Sequence, residues 1–257
     1  MAELKPCDLE GKIINADCMD ILKQLPDNCI DLVVTSPPYN LDIKYNTHKD
    51  NLPYLDYLDW CLLWIVECTR LLKDGGRIAI NIPLETNLDG KRFICKDYMN
   101  MLEKNHLLQT AFILWDKQNV TSRTAWGSFC SPSCPNVIQP MECILVYSKG
   151  DRNKKGDKNK IDISKKEFID SVLGVWKIQP ETKSSHPAPF PIELPQKIIR
   201  LFSYVDDLIL EPFSGSGTTA IACHRLKRRF ICIEKDPEYW AKSCERLKAE
   251  QAQGQLF

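Results

Sequence analysis

A rhythm of short apolar runs alternating with amphipathic stretches limits this chain more than any other feature. The runs are Ile13–Asn15, Ile30–Thr35, Gly76–Ile82, Ala111–Trp115, Glu142–Tyr147, Leu208–Glu211 and Phe230–Glu234. Several are continuously apolar rather than alternating, as strands read when both sheet faces are covered. Between them, residues 54–72, 93–105, 193–203, 218–227 and 237–251 place apolar residues at the helical period, and "KDGG" at 73–76 supplies a glycine stop for the first. Strand and helix in alternation predict an open, mainly parallel, seven-stranded α/β sheet with helices on both faces. At 257 residues the chain can bury roughly 70–75% of its unfolded surface, enough for a single domain over 1–257. Sheets of this kind bind ligands outside the carboxyl ends of their strands.

Two strand ends stand out. In "DLVVTSPPYN" (31–40) a core strand is stopped by Ser36, Pro37 and Pro38, with Tyr39 and Asn40 at the exit. A Pro-Pro pair alone reads as a rigid turn. In "LILEPFSGSGTTAIACHRLKRRFICIE" (208–234) a strand ends at Glu211, Gly215 and Gly217 bend the chain, and a helix begins at Thr218. Glycine lets backbone approach a ligand closely, and a helix amino terminus offers unpaired N–H groups. The next strand ends in Glu234, where an acid would hold a ribose. No lysine follows Gly217, which excludes a phosphate-binding P-loop, and Ala220 stands where a dinucleotide fingerprint needs its third glycine. "HPAPFPIELPQKII" (186–199) is a proline-rich lead into a helix, and Asp17 at the first strand's tip reads as a helix amino-cap.

The rest of the chain is less directive. Lys plus Arg equals Asp plus Glu at 34 each, so no overall basic field marks a polyanionic partner, although a local basic cleft remains open. Residues 149–166 are polar and locally basic and read as a mobile loop. Their Lys154, Lys155, Lys158 and Lys160 either touch phosphates or form a solvated surface. Residues 119–136, rich in Ser, Thr, Pro and Asn, are also loop-like. The twelve cysteines are scattered, and Cys130 and Cys134, with Cys143 and His106 elsewhere, match no zinc spacing, so no metal is expected. The amino terminus lacks a signal-like apolar core and no run approaches ~18 apolar residues, which predicts a cytoplasmic protein with no membrane partner.

Read together, these motifs resemble the amino-directed DNA methyltransferases that use S-adenosylmethionine. That family pairs a Ser/Asp/Asn-Pro-Pro-Tyr/Phe strand end with a Phe-x-Gly-x-Gly turn. They stand here as Ser36-Pro37-Pro38-Tyr39 and Phe213-Ser214-Gly215-Ser216-Gly217. The catalytic motif comes early and the glycine turn late, as in the permuted β group, and the likeness spans about residues 11–250. Glu211 stands where the family more often has Asp. The resemblance implies a Rossmann-like methyltransferase sheet whose glycine turn, Phe213 to Thr219 with Glu211 and Thr218, wraps the methionine part of the cofactor. It gives the ribose to Glu234 and the adenine amino group to Asp17, with Cys18 beside it, and closes the pocket with Phe190 and Pro191. Ser36 to Tyr39 would hold a flipped target base, with Ser36 also touching the cofactor.

The chemistry accounts for the two prolines. An exocyclic amine is a poor nucleophile because its lone pair is conjugated into the ring. Acceptors on its two N–H bonds draw it toward tetrahedral geometry, and the Ser36 hydroxyl and Pro37 carbonyl can serve. A carbonyl between two prolines is held rigidly, so it costs little reorganisation when charge develops. Tyr39 would supply a stacking face, a role that phenylalanine could also fill. Ser at position 36 favours cytosine N4 over adenine N6. RNA or glutamine methylation is disfavoured by the permuted order, and a non-catalytic DNA-binding module by the intact motifs. Residues 117–185 are expected to form an irregular insert that recognises the target. A cognate restriction endonuclease and a homodimer are further expectations.

Overall fold

The computed structural model describes residues 4–43, 50–86, 90–118, 127–137, 139–181 and 191–254. Strands β1 (Lys12–Asn15), β2 (Ile30–Thr35), β3 (Leu72–Pro83), β4 (Leu107–Asp116), β5 (Met141–Lys149), β6 (Val175–Lys177), β7 (Leu208–Glu211) and β8 (Arg229–Glu234) form one sheet. Among the described residues it has eight strands, in the order β1-β8-β7-β2-β3-β5-β4-β6. Every pairing is parallel except those of β5 with β3 and β4. The eighth strand, β6, was not expected. It is a three-residue piece in which Trp176 alone is buried, too short to show a period in the sequence.

The helices are α1 (Pro6–Leu9), α2 (Cys18–Leu22), α3 (Tyr54–Leu71), α4 (Ile94–Lys104), α5 (Lys165–Ser171), α6 (Glu193–Phe202), α7 (Thr218–Arg225) and α8 (Pro237–Gly254). Successive strand residues point to opposite faces. Val33, Ile78, Ile80 and Leu145 therefore pack with α2, α3 and α4, while Leu32, Val34, Ala79 and Ile144 pack with α6, α7 and α8. Both sets are buried, which explains the unbroken apolar runs, and each such Val, Leu or Ile side chain contributes about 1.5–3 kcal/mol. The permuted order matters for position. β2 lies between β7 and β3, so the early and late motifs end on neighbouring strands.

Three expectations are corrected. The "KDGG" run does not stop α3. The helix ends at Leu71, Leu72 is already extended, and residues 73–76 belong to β3. The register jumps from Ile30↔Leu72 to Leu32↔Arg77, and the extra residues form a bulge in which Gly75 has φ +72°.

Residues 149–166 are not a mobile loop. Lys154, with a 6% exposed side chain, pairs with Asp31 at 3.0 Å and Asp207 at 3.3 Å. Arg228 holds Asp162 through a two-pronged contact, and the Val205 N–H donates to the Lys160 carbonyl at 3.0 Å. The segment lies at the amino edge of the parallel strands, where Lys149 donates to the carbonyls of Arg70 and Leu72. The lysines expected at DNA are thus on the edge opposite Ser36. Lys154 is buried in ion pairs, Lys160 pairs with Asp206, and Lys155 and Lys158 face solvent there.

Residues 117–185 are not one irregular insert either, because they contain β5, α5 and β6.

Candidate active site

Sheet order brings four strand ends together. Asn15 is in register with Glu234, Glu211 with Cys232, and Val33 with Leu210. Asp17, Glu234, the turn after Glu211 and Ser36 therefore follow one another along the carboxyl edge of β1, β8, β7 and β2.

The Ser-Pro-Pro-Tyr segment is held from several sides. The Pro38 carbonyl accepts from the Tyr57 hydroxyl at 3.0 Å, and Tyr57 meets the Tyr98 hydroxyl at 2.9 Å. Burial pushes both phenols well above their ordinary pKa, so they remain donors. Asn40 turns the chain with φ +58°, a left-handed conformation that asparagine tolerates. The Asp50 carboxylate accepts from the N–H groups of Asn40, Leu41 and Ile43, and the Asn40 side chain exchanges two hydrogen bonds with Leu52. The Ser36 and Tyr39 hydroxyls meet at 2.5 Å. Tyr39 also lines a cavity of about 310 Å³ with Asn40, Leu52, Tyr54, Thr86 and Arg92.

The glycine turn is equally tied. Gly217 sits at φ +76° as the amino-cap of α7, and a Cβ there would lie 2.9 Å from the Ser243 Cβ. The Gly215 N–H donates to Glu234 Oε2 at 2.7 Å, and Arg246 of α8 donates to the Ser216 carbonyl and the Thr218 hydroxyl, each at 3.1 Å. Phe213 packs on Trp60 and Trp64 of α3 with ring centroids 5.5 and 5.4 Å apart. Glu211 accepts from the Phe213 N–H and the Thr219 hydroxyl beneath the turn. Burial nevertheless pushes its pKa up to about 8, and burial likewise raises that of Glu234.

Asp17 caps α2 by accepting from the Met19 N–H and pairs with Lys235 at 2.9 Å. Its neighbour Cys18 opens α2. The Cys18 side chain is buried in the core beneath α2, and burial pushes its thiol up to about 12. Pro191 leads into α6, its carbonyl accepting from the Leu194 N–H. Phe190 lies outside the described residues.

Sequence reasoning missed a group around Tyr39. Its hydroxyl reaches the Asn81 carbonyl at 3.1 Å and Glu142 at 3.3 Å, and the Asn81 amide donates to both Tyr39 and Glu142. Lys117 pairs with the other Glu142 oxygen. The available signals were a charge opening an apolar strand at Glu142 and a polar residue inside "AINIP" at Asn81. Trp60, Trp64, Asp50 and Arg246 carried no comparable signal.

The donor set fits S-adenosylmethionine. A glycine turn at a helix amino terminus suits the carboxylate of an amino-acid end, and the acids Glu234 and Asp17 at neighbouring strand ends suit a diol and an amine. Among the described residues, no three His, Cys, Asp or Glu side chains are grouped to hold a metal, and no helix is long and apolar enough to cross a membrane.

The model of the N6/N4 methyltransferase family, described as DNA methylase, matches residues 30–245. Type II methyltransferase M.MjaVI of Methanocaldococcus jannaschii is 44% identical over 172 residues, covering 66% of this chain and 87% of that one. Type II methyltransferase M.HpaI of Haemophilus parainfluenzae is 28% identical over 254 residues, covering 94% and 76%. The crystal structure of TTHA0409 from Thermus thermophilus, complexed with S-adenosyl-L-methionine, superposes with a TM-score of 0.74 at 26% identity, covering 93% of this chain and 95% of that one. The chain belongs to the N6/N4 DNA methylase family, in its permuted β class, and uses S-adenosylmethionine to methylate an exocyclic amine of DNA.

Proposed function

We propose that the target is the N4 amine of cytosine, flipped out of the duplex into the cavity beside Tyr39. The observation that supports this reading is the uncharged acceptor at the reacting end of the motif: position 36 carries a hydroxyl, engaged by Tyr39 at 2.5 Å. In this reading Ser36 Oγ and the Pro37 carbonyl accept hydrogen bonds from the two amine N–H groups, and the nitrogen lone pair leaves conjugation with the ring. The Pro38 carbonyl is already satisfied by Tyr57, which holds the Pro-Pro unit in place. The Tyr39 ring offers the flipped base a stacking face.

S-adenosylmethionine supplies a methyl group on a sulfonium, a leaving group good enough to need no metal. Phe213, Ser214, Gly215, Ser216, Gly217, Thr218 and Thr219 would hold its methionine part with Glu211 beneath. Glu234 would take the ribose hydroxyls and Asp17 the adenine amine, with Pro191 closing the pocket. The segment joining β4 to β5, residues 117–140, leaves and re-enters the sheet at the carboxyl edge beside Glu142. Target recognition is assigned to it rather than to the amino-edge loop.

Ser36→Ala tests the reading. Loss of one preorganised partner should lower kcat by ~10²–10³ while cofactor binding is kept. Wild-type turnover would remove the role of Ser36. Digestion of methylated plasmid to nucleosides should yield N4-methylcytosine, and N6-methyladenine would overturn the choice of base.

A further inference from the structure

A hydroxyl has one proton and two lone pairs. For Ser36 Oγ to accept from the target amine, its own proton must point elsewhere, and the Tyr39 oxygen stands 2.5 Å away. Tyr39 must then pass its proton onward. Its reachable acceptors are the Asn81 carbonyl at 3.1 Å and Glu142 Oε2 at 3.3 Å. The Asn81 amide donates to the Tyr39 oxygen at 2.9 Å and to Glu142 Oε2 at 2.6 Å, clamping the two together. Lys117 fixes the far oxygen of Glu142. The chain of partners thus ends in a carboxylate.

We propose that Glu142 is a positioning residue that acts through Tyr39 to orient the Ser36 proton away from the target amine. This rests on the reading that Ser36 accepts from that amine. Hydrogen bonds to ionised groups are stronger than neutral ones, and linked bonds polarise one another. The carboxylate therefore draws the Tyr39 proton toward itself, Tyr39 draws the Ser36 proton, and the lone pairs of Ser36 are left for the amine. Burial and the charge of Glu142 push the Tyr39 phenol well above its ordinary pKa, so it stays protonated as this arrangement requires. A serine-type motif reaches a negative charge two hydrogen bonds away instead of carrying it. The hydroxyl of Tyr39 is then needed beyond its ring, contrary to the expectation that phenylalanine would serve equally.

The test measures kcat, KM for DNA and Kd for S-adenosylmethionine in wild type, Glu142→Gln, Tyr39→Phe, the double variant, and Ser36→Ala with and without Glu142→Gln. Each of the first two variants should lower kcat on the order of tenfold, the scale of one charge-assisted hydrogen bond, with Kd for the cofactor unchanged. The double variant should be no slower than the slower single, and Glu142→Gln should add nothing to Ser36→Ala. Wild-type kcat in Glu142→Gln, or multiplying effects in the double variant, overturns the proposal. If Glu142→Gln does not fold, Tyr39→Phe, which keeps the Lys117–Glu142 pair, decides: a wild-type kcat there overturns it. A fast Ser36→Ala enzyme overturns the underlying reading instead, whereas a slow one beside a normal Glu142→Gln enzyme overturns only the role of Glu142.

Discussion

Replacing Glu211 by glutamine should change how the stability of the ligand-free protein depends on pH. The carboxyl is 1% exposed, and burial, reinforced by the nearby charge of Glu234, outweighs its hydrogen bonds and pushes its pKa from 4.5 up to about 8. Below 4.5 both folded and unfolded chains hold the proton, so nothing is lost. Above it the unfolded chain releases a proton that the folded chain keeps, and stability falls until the pH passes about 8. At about 1.4 kcal/mol per unit, the loss between pH 5 and pH 8 is roughly 3.5 kcal/mol. Glutamine keeps the shape, accepts from the Phe213 N–H, donates to the Thr219 oxygen and does not titrate. Glu234, raised mainly by burial, titrates in both proteins, so the difference between them isolates Glu211. Urea unfolding of each at pH 5, 6.5 and 8 should show the variant gaining about 3.5 kcal/mol on the wild type across the series. Parallel pH profiles would refute the reasoning, because the carboxyl would then be charged in the folded protein at neutral pH.

Gly217→Ala should lower the melting temperature, since a left-handed residue with a Cβ costs about 1–2 kcal/mol and this Cβ would stand 2.9 Å from that of Ser243. It should also weaken the thermal shift given by S-adenosylmethionine, and a full shift would count against placing the cofactor at this turn. Lys154→Met removes one of the two lysines on Asp31, which keeps Lys73 at 2.8 Å and the Leu208 N–H, and the lysine on Asp207, and should cost about 1–3 kcal/mol in urea unfolding, with the salt dependence of DNA binding unchanged. A salt slope flattened by about 0.9 would return this lysine to the DNA interface.

The layered architecture was legible because it depends on local pattern. A run such as Leu32-Val33-Val34 is apolar on both sides only if both sheet faces are covered, and α3 and α6 carry the matching period. The ends of those runs were legible too. A Pro-Pro pair and two glycines of positive φ are conformational demands written into the residues themselves. Function at the level of a methyl transfer to an amine followed from the resemblance that those ends, and their order along the chain, bear to a known family.

What could not be read is whatever depends on who stands beside whom. Glu142 lies 103 residues from Tyr39 and 61 from Asn81, and they meet because β5 runs antiparallel beside β3 at the carboxyl edge. The same geometry carries the lysines of 154–160 to the opposite edge, although their composition resembles a DNA-binding loop. Composition reports charge but not direction. A hydrogen bond or ion pair is satisfied by proximity, and proximity here was decided by strand order and strand direction, which are properties of the assembled sheet.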